Sequence, residues 1–119
     1  LADARKGKAM FDNVNVPVVG MVENMAYFTP PDLPERKYHL FGREGAKKLA
    51  KELDVPFLGE VPIEQKVRES GDAGTPIVRS APDSLSAQAF DNIADQLVEQ
   101  VAIRNAESDP TQKVEILYE

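Results

Sequence analysis

The sequence of 119 residues contains no cysteine and only one histidine, His39. Without thiols the chain forms no disulfide and offers no thiolate as a nucleophile or metal ligand, and one histidine is too few for a histidine-rich metal site. The chain also lacks the G-x-x-x-x-G-K-[ST] pattern of a phosphate-binding loop and any Ser/His/Asp arrangement for nucleophilic catalysis. These absences exclude the common self-contained catalytic centres.

Charge and hydropathy exclude further classes of protein. No apolar run approaches the roughly 20 residues of a membrane-spanning helix, and no segment resembles a signal peptide. A net charge of −6 argues against a broad nucleic-acid-binding surface, although a local phosphate site would be compatible with it. We therefore expect a cytoplasmic globular domain that binds neither nucleic acid nor membrane. The sequence opens on Leu1 rather than methionine, in residues typical of a helix, which suggests part of a longer protein.

An uncharged, largely β-branched run from Val16 to Val22 predicts a strand covered on both faces, because polar alternation disappears when neither face meets water. Asn24 follows this run. Ligands of open α/β sheets collect beyond the carboxyl ends of the strands, and a carboxamide both donates and accepts hydrogen bonds, which suits adenine. Asn24 is therefore a candidate base-binding residue; the alternative is that it caps a turn.

The remaining pattern predicts an α/β order. Helices are expected at residues 1–13, at residues 42–53, after Pro62 as far as Gly71, and after a cap at Asp83 or Ser84. A second strand is expected at residues 56–61 and a third extended piece at residues 75–78. The proline-containing segment 27–41 predicts a long connection or a short edge ribbon. Strand, helix and strand in succession favour a right-handed βαβ unit.

The last helix carries an apolar stripe that we expect to be core, the alternative being a groove for a partner. The stripe consists of Leu85, Ala89, Phe90, Ile93, Leu97, Val98 and Val101. We assign residues 1–106 to one domain and residues 107–119 to a polar tail, in which Val114 to Tyr118 adds an edge strand or remains a mobile tail.

Three acidic residues near the end of the second strand, Glu60, Glu64 and Asp72, are expected on the solvated surface. His39 is expected to be a surface or hydrogen-bonded residue rather than a metal ligand. The segment Gly71 to Gly74 predicts a turn, because it precedes a proline-containing piece and opens no helix.

Several segments, in the same order and at compatible spacing, resemble the Mrp/ApbC group of P-loop ATPases, which are relatives of the MinD and ParA proteins. The clearest is VPVVGMVENMAYF at residues 16–28. Similar segments are HLFG at residues 39–42, VPFLGEVP at residues 55–62, and residues 63–76 with Arg68, Gly71, Asp72 and Gly74. Together they cover nearly everything before the last helix.

The resemblance implies the C-terminal part of a doubly wound, mainly parallel P-loop NTPase sheet flanked by helices. It implies a homodimer that binds ATP with Mg²⁺ and carries or assembles iron–sulfur clusters for apo-protein targets. Asn24 matches the family's base-contacting asparagine, and Pro62, Ile63 and Glu64 match the loop that flanks the purine. The phosphate-binding loop belongs to an earlier part of the family's sequence, so we expect this chain alone to have no ATPase activity.

One departure from the family pattern concerns the cluster. Many members place a C-x-x-C pair after the asparagine signature to hold a cluster between two subunits, whereas residues 27–34 here read YFTPPDLP. The usual cluster ligands are therefore missing from this chain, and an iron–sulfur role rests on resemblance. The alternative from another class is a non-enzymatic α/β interaction or dimerisation module.

Overall fold

The computed structural model describes residues 1–107. Its elements are α1 (Ala2–Asn13), β1 (Met21–Glu23), α2 (Gly45–Glu52), β2 (Phe57–Glu60), α3 (Gln65–Asp72), α4 (Ile77–Ser80) and α5 (Leu85–Glu107). The strand or tail expected at Val114 to Tyr118 lies outside the described residues. No helix within residues 1–107 is both long and apolar enough to cross a bilayer.

The sheet of the described part consists of β1 and β2, which run parallel and are connected through α2. Met21 pairs with Phe57, and Glu23 pairs with Glu60. The pairing continues beyond the strands, because the amide of Val61 donates to the carbonyl of Glu23 at 2.8 Å. The predicted α/β class and the strand–helix–strand order are confirmed.

The core lies where α2 contacts both strands and where α5 contacts β2. Its buried apolar residues are Ala26, Leu49, Ala50, Val55, Leu58, Val61, Ile77 and Ala87. Close packing of α5 depends on Gly59, because a Cβ at this position would lie 2.8 Å from Cγ1 of Ile93. Gly59 also has a φ of 151°, which side-chain-bearing residues rarely adopt.

The first predicted strand is shorter and more exposed than expected. β1 covers only Met21–Glu23, and Val16 and Val22 are 44% and 42% exposed. The amide of Val16 donates to the carbonyl of Phe11 at 2.9 Å, after Asn15 turns the chain with a φ of 57°. The start of the predicted strand is therefore bound to the end of α1 rather than to a neighbouring strand.

The extended piece predicted at residues 75–78 is wrong. Ile77–Ser80 forms the short helix α4, and the amide of Ser80 donates to the carbonyl of Pro76 at 3.0 Å. Pro76 has a φ of −58°, which is favourable at the start of a helix. The predicted turn is also shorter than expected, since Gly71 and Asp72 close α3 and only Ala73 and Gly74 reverse the chain.

The last helix begins as predicted. The hydroxyl of Ser84 accepts a hydrogen bond from the amide of Ala87 at 3.1 Å and so caps α5. Its apolar stripe is only partly covered in the described part: Ile93 packs against Gly59, whereas Val98 is 70% exposed, and the fully buried residues of α5 are Ser86 and Ala87. Phe90, Leu97 and Val98 are exposed because the described residues provide no layer against their part of the helix.

Candidate functional site

The carboxyl edge of the two parallel strands brings two predicted site residues into neighbouring loops. Asn24 directly follows β1, and Pro62 lies two residues beyond β2. The two loops are hydrogen-bonded to each other, since the amide of Ala26 donates to the carbonyl of Val61 at 2.9 Å. Both residues therefore lie at one edge of the sheet, which is where ligands of open α/β sheets bind.

The Asn24 side chain has one local role that the sequence left open. Its Oδ1 accepts a hydrogen bond from the amide of Met25 at 2.9 Å, and Met25 has a left-handed φ of 52°. Asn24 therefore caps the turn after β1. The residue is exposed, and its amide nitrogen has no protein partner within residues 1–107. A capping oxygen retains a second lone pair, so the carboxamide keeps donor and acceptor capacity for a ligand.

Pro62 and Ile63 differ in accessibility. Pro62 is buried, so its ring does not offer a face to a ligand in this structure. The amide of Ile63 donates to the carbonyl of Tyr27 at 2.7 Å, which extends the contact between the two loops. Ile63 and Glu64 line a groove of about 330 Å³ together with Phe28. Asn24 and Pro62 lie outside the residues that line this groove.

Glu64 has a role that the surface expectation missed. Its Oε1 accepts a hydrogen bond of 2.6 Å from the backbone amide of Ser86, in the first turn of α5. Since the first amides of a helix have no intrahelical partner, this carboxylate supplements the Ser84 cap. The two residues are 22 positions apart, and no local sequence pattern indicates a cap from such a distance. Asp72, in contrast, is exposed as expected and pairs with Arg68 at 3.1 Å.

A second pocket, of about 360 Å³, lies between β2, the first half of α5 and the segment after β1. Tyr27, Lys37 and Glu60 contribute to it, and Lys37 Nζ lies 4.5 Å from the centroid of the Tyr27 ring. Burial raises the pKa of Tyr27 above its ordinary value, and the carboxylates of Glu60 and Glu64 raise this pKa further. Glu60 is half-buried rather than fully solvated.

The ring of His39 lies near the Tyr27 ring, with 6.2 Å between ring centroids and an angle of 52° between the ring planes. It is half-buried. Sequence analysis thus missed that Tyr27 contacts both Lys37 and His39, and the signal for it was its place near the end of the segment VPVVGMVENMAYF at residues 16–28.

The donor set decides which groups this part of the chain can hold. The sequence has no cysteine, so the thiolates that bind iron–sulfur clusters are missing and these residues do not fit a cluster. Within residues 1–107, no three or more His, Cys, Asp or Glu side chains are grouped as metal ligands. The exposed carboxamide of Asn24 and the paired loops beside it fit the base of a nucleotide.

Comparison with known families shows which family contains this sheet edge and its loops. The sequence model of the family described as ParA: NUBPL iron-transfer P-loop NTPase matches residues 1–98. The chain belongs to this family. All four predicted site residues lie within the NUBPL match, as does Tyr27.

Similar proteins of known family support the same assignment. An iron-sulfur cluster carrier protein of Synechocystis is 54% identical over 103 residues, which are 87% of this chain and 29% of the relative. The iron-sulfur cluster transfer protein NUBPL of Dictyostelium discoideum is 42% identical over 113 residues, which are 95% of this chain and 35% of the relative. Mouse NUBPL is 48% identical over 98 residues, or 82% of this chain and 30% of the relative. The chain thus spans about a third of the curated relatives it matches.

Proposed function

We propose that this chain forms the C-terminal part of an ATP-binding protein that carries or assembles iron–sulfur clusters, and that it contributes the adenine end of the nucleotide site. The family supports nucleotide binding with Mg²⁺, and the printed names of the relatives support the iron–sulfur role. The observation that carries the proposal is the exposed carboxamide of Asn24 at the carboxyl edge of β1.

Asn24 has the hydrogen-bonding groups that adenine requires. Its amide nitrogen donates to a ring nitrogen of the base, while the remaining lone pair of Oδ1 accepts from the exocyclic amine. Because Oδ1 is also fixed by the amide of Met25 at 2.9 Å, the carboxamide is oriented before the base arrives. In this proposal Ile63 and Glu64 lie in the loop beside the base. Pro62 is buried and supports the loop without contacting the base.

The rest of the nucleotide site belongs to other parts of the proposed parent. Phosphates and Mg²⁺ require a phosphate-binding loop, a lysine and a metal-holding side chain, none of which is assigned to this chain. We also propose that β1 and β2 belong to a larger, doubly wound sheet. The exposure of Val22 and of the apolar stripe on α5 supports this, because further strands and helices would cover such surfaces.

The cluster is cargo in this proposal, and its ligands come from outside this chain, which lacks cysteine. The proposed protein is cytoplasmic, forms a homodimer and delivers clusters to iron–sulfur apo-proteins. A parent that binds no nucleotide would favour the alternative, a non-enzymatic interaction module.

The test uses the full-length parent with Asn24→Asp and Asn24→Ala. Aspartate keeps the oxygen that caps the turn but loses the amide donor, whereas alanine loses both. The added charge of aspartate repels the triphosphates of ATP and GTP alike, so the informative quantity is the ratio of their dissociation constants. The aspartate carboxylate also accepts hydrogen bonds from the N–H groups of guanine, so Asn24→Ala is the variant that isolates the loss of the contact to adenine. We expect this preference for ATP to fall about tenfold in both variants, because losing a base-reading hydrogen bond costs about 1–3 kcal/mol.

The matched control is Asn13→Ala, which changes an exposed asparagine at the end of α1. We expect it to leave both dissociation constants unchanged. An unaltered ATP-to-GTP ratio in folded Asn24→Asp and Asn24→Ala proteins would reduce Asn24 to its capping role and overturn the proposal.

A further inference from the structure

The pocket between β2 and α5 has the composition of a site for an organic cation. One wall is the ring of Tyr27, whose face already has the ammonium of Lys37 at 4.5 Å. Aromatic faces attract such cations through the negative potential of the ring. Lys37 is an exposed residue of the segment that follows β1, so its ammonium is exchangeable with another cation.

The second wall supplies a carboxylate. Glu60, the last residue of β2, is half-buried, and its side chain has no ion-pair partner within residues 1–107. A partly desolvated charge gains from a counter-ion more than a fully hydrated one does. Burial is the main cause of the raised pKa of Tyr27, and the carboxylates of Glu60 and Glu64 raise this pKa further, which agrees with a negative potential here.

The third wall is α5, which presents two amides one turn apart, Gln88 and Asn92. The Gln88 amide nitrogen donates to the carbonyl of Asp83 at 3.0 Å, so its oxygen remains an acceptor. Ammonium and guanidinium groups are donors only, and an oxygen acceptor beside a carboxylate and a ring face suits them.

We propose that this pocket, formed by Tyr27, Glu60, Gln88 and Asn92, binds a lysine or arginine side chain of a basic segment in a partner protein, with Lys37 occupying the position in the free protein. The site does not use Asn24 or the groove lined by Ile63 and Glu64. Its test is therefore independent of nucleotide binding.

The surroundings of the pocket favour a peptide segment over a small free amine. Asp91, Asp95 and Glu99 follow one another at intervals of four residues on α5, and all three are exposed. None of them forms an ion pair within residues 1–107. This acidic row begins beside Asn92 and leads away from the pocket, so a basic segment anchored in the pocket would have further cationic side chains complemented along α5.

The probe is a synthetic peptide of about ten residues with three spaced lysines, titrated into the chain by NMR, and the control probe is the same peptide with acetylated lysines. We expect Glu60→Gln and Tyr27→Leu to weaken binding of the lysine peptide about three- to tenfold. Glu69→Gln removes the same charge from an exposed position of α3 and should change the affinity by less than about twofold. Acetylation should abolish the shifts at pocket residues.

Lys37→Met gives the most specific result. It removes the competing internal cation, so we expect the lysine peptide to bind about three- to tenfold tighter. Lys66→Met removes one exposed positive charge elsewhere and should have little effect. Equal effects of Lys37→Met and Lys66→Met, or of Glu60→Gln and Glu69→Gln, would mean attraction by net charge alone and would overturn the proposal. Binding of butylamine but not of the peptide would overturn the peptide assignment.

Discussion

The carboxylate of Glu64 accepts a 2.6 Å hydrogen bond from the backbone amide of Ser86 and thereby joins the loop after β2 to the first turn of α5. The groove beside Phe28 and the pocket beside Tyr27 lie on the two elements that this bond connects. A side chain of the carboxyl edge itself therefore helps to fix the start of α5 relative to the sheet, together with the contact of Ile93 with Gly59.

Loss of this bond should reduce the stability of the chain. We expect Glu64→Ala to lower the free energy of unfolding by about 1–2 kcal/mol, since a helix-terminal amide loses its partner. Urea denaturation followed by circular dichroism measures this. Glu69→Ala, at an exposed position of α3, is the matched control, and an equal loss in both variants would contradict a specific role for Glu64.

Two glycines should respond oppositely to alanine. Gly59→Ala brings a Cβ within 2.8 Å of Ile93 at a φ of 151°, so we expect a loss of about 1–3 kcal/mol. Gly7 lies inside α1 with no heavy atom within 4 Å of its added Cβ, and Gly7→Ala should gain about 0.5–1 kcal/mol. The comparison uses the same denaturation assay. A tolerated Gly59→Ala would mean that α5 does not pack against β2 this closely.

Neighbouring serines at the start of α5 provide a similar pair. Ser84→Ala removes the hydroxyl that caps the amide of Ala87 at 3.1 Å and should cost about 0.5–2 kcal/mol. Ser86 is fully buried, and its hydroxyl has no hydrogen-bond partner among residues 1–107. Ser86→Ala should therefore leave the melting temperature unchanged or raise it, because an unsatisfied buried hydroxyl is removed. A large loss for Ser86→Ala would indicate a partner for this hydroxyl.

Tyr27 should titrate above the ordinary tyrosine pKa, because burial and the carboxylates of Glu60 and Glu64 disfavour the phenolate. Its folded-state pKa exceeds its unfolded one, so this contribution to stability is complete below the unfolded pKa and is lost as the pH rises through the folded one. NMR of the Tyr27 ring measures the midpoint. Glu60→Gln should lower the midpoint only in part, because burial is the larger cause of the shift. An unchanged midpoint would mean that the Glu60 carboxylate does not act on the Tyr27 phenol.

Anaerobic reconstitution of this chain with iron and sulfide should give no stable cluster. The sequence has no cysteine and one histidine, which leaves too few suitable ligands. The measurement is visible absorption after gel filtration. A charge-transfer band that remains with the protein would contradict the prediction, and its loss in a His39→Ala variant would identify His39 as a ligand.

The sequence predicted best those features that depend on neighbouring residues. The apolar spacing in α2 and the serine before α5 are local signals, and both elements form as expected. The proximity of the Asn24 and Pro62 loops followed from a general rule, since parallel neighbouring strands end at one edge.

The features that were missed depend on residues distant in the chain or on surfaces. The hydrogen bond between Glu64 and Ser86 joins residues 22 positions apart in the chain. The hydrogen bond from Val16 to Phe11 binds a residue of high strand propensity to the end of α1, so β1 is shorter than its sequence predicts. Burial of the stripe on α5 was inferred from hydropathy, but hydropathy does not tell which surface covers a helix. The extended piece at residues 75–78 was wrongly predicted because proline is as favourable at the start of a helix as in an extended segment.

Because Gly59 has no side chain, Ile93 of α5 packs closely on β2, and a change at this contact would tilt the whole helix. The helix has 23 residues, or about 35 Å at 1.5 Å per residue, and it rests on the sheet through Ile93, about a third of the way along. Its near end is fastened by Ser84 and Glu64. A tilt of α5 by about 10° about the Ile93 contact would move its C-terminal end by about 4 Å. A single methyl group at position 59 would therefore displace most strongly the helix end some 20 Å away.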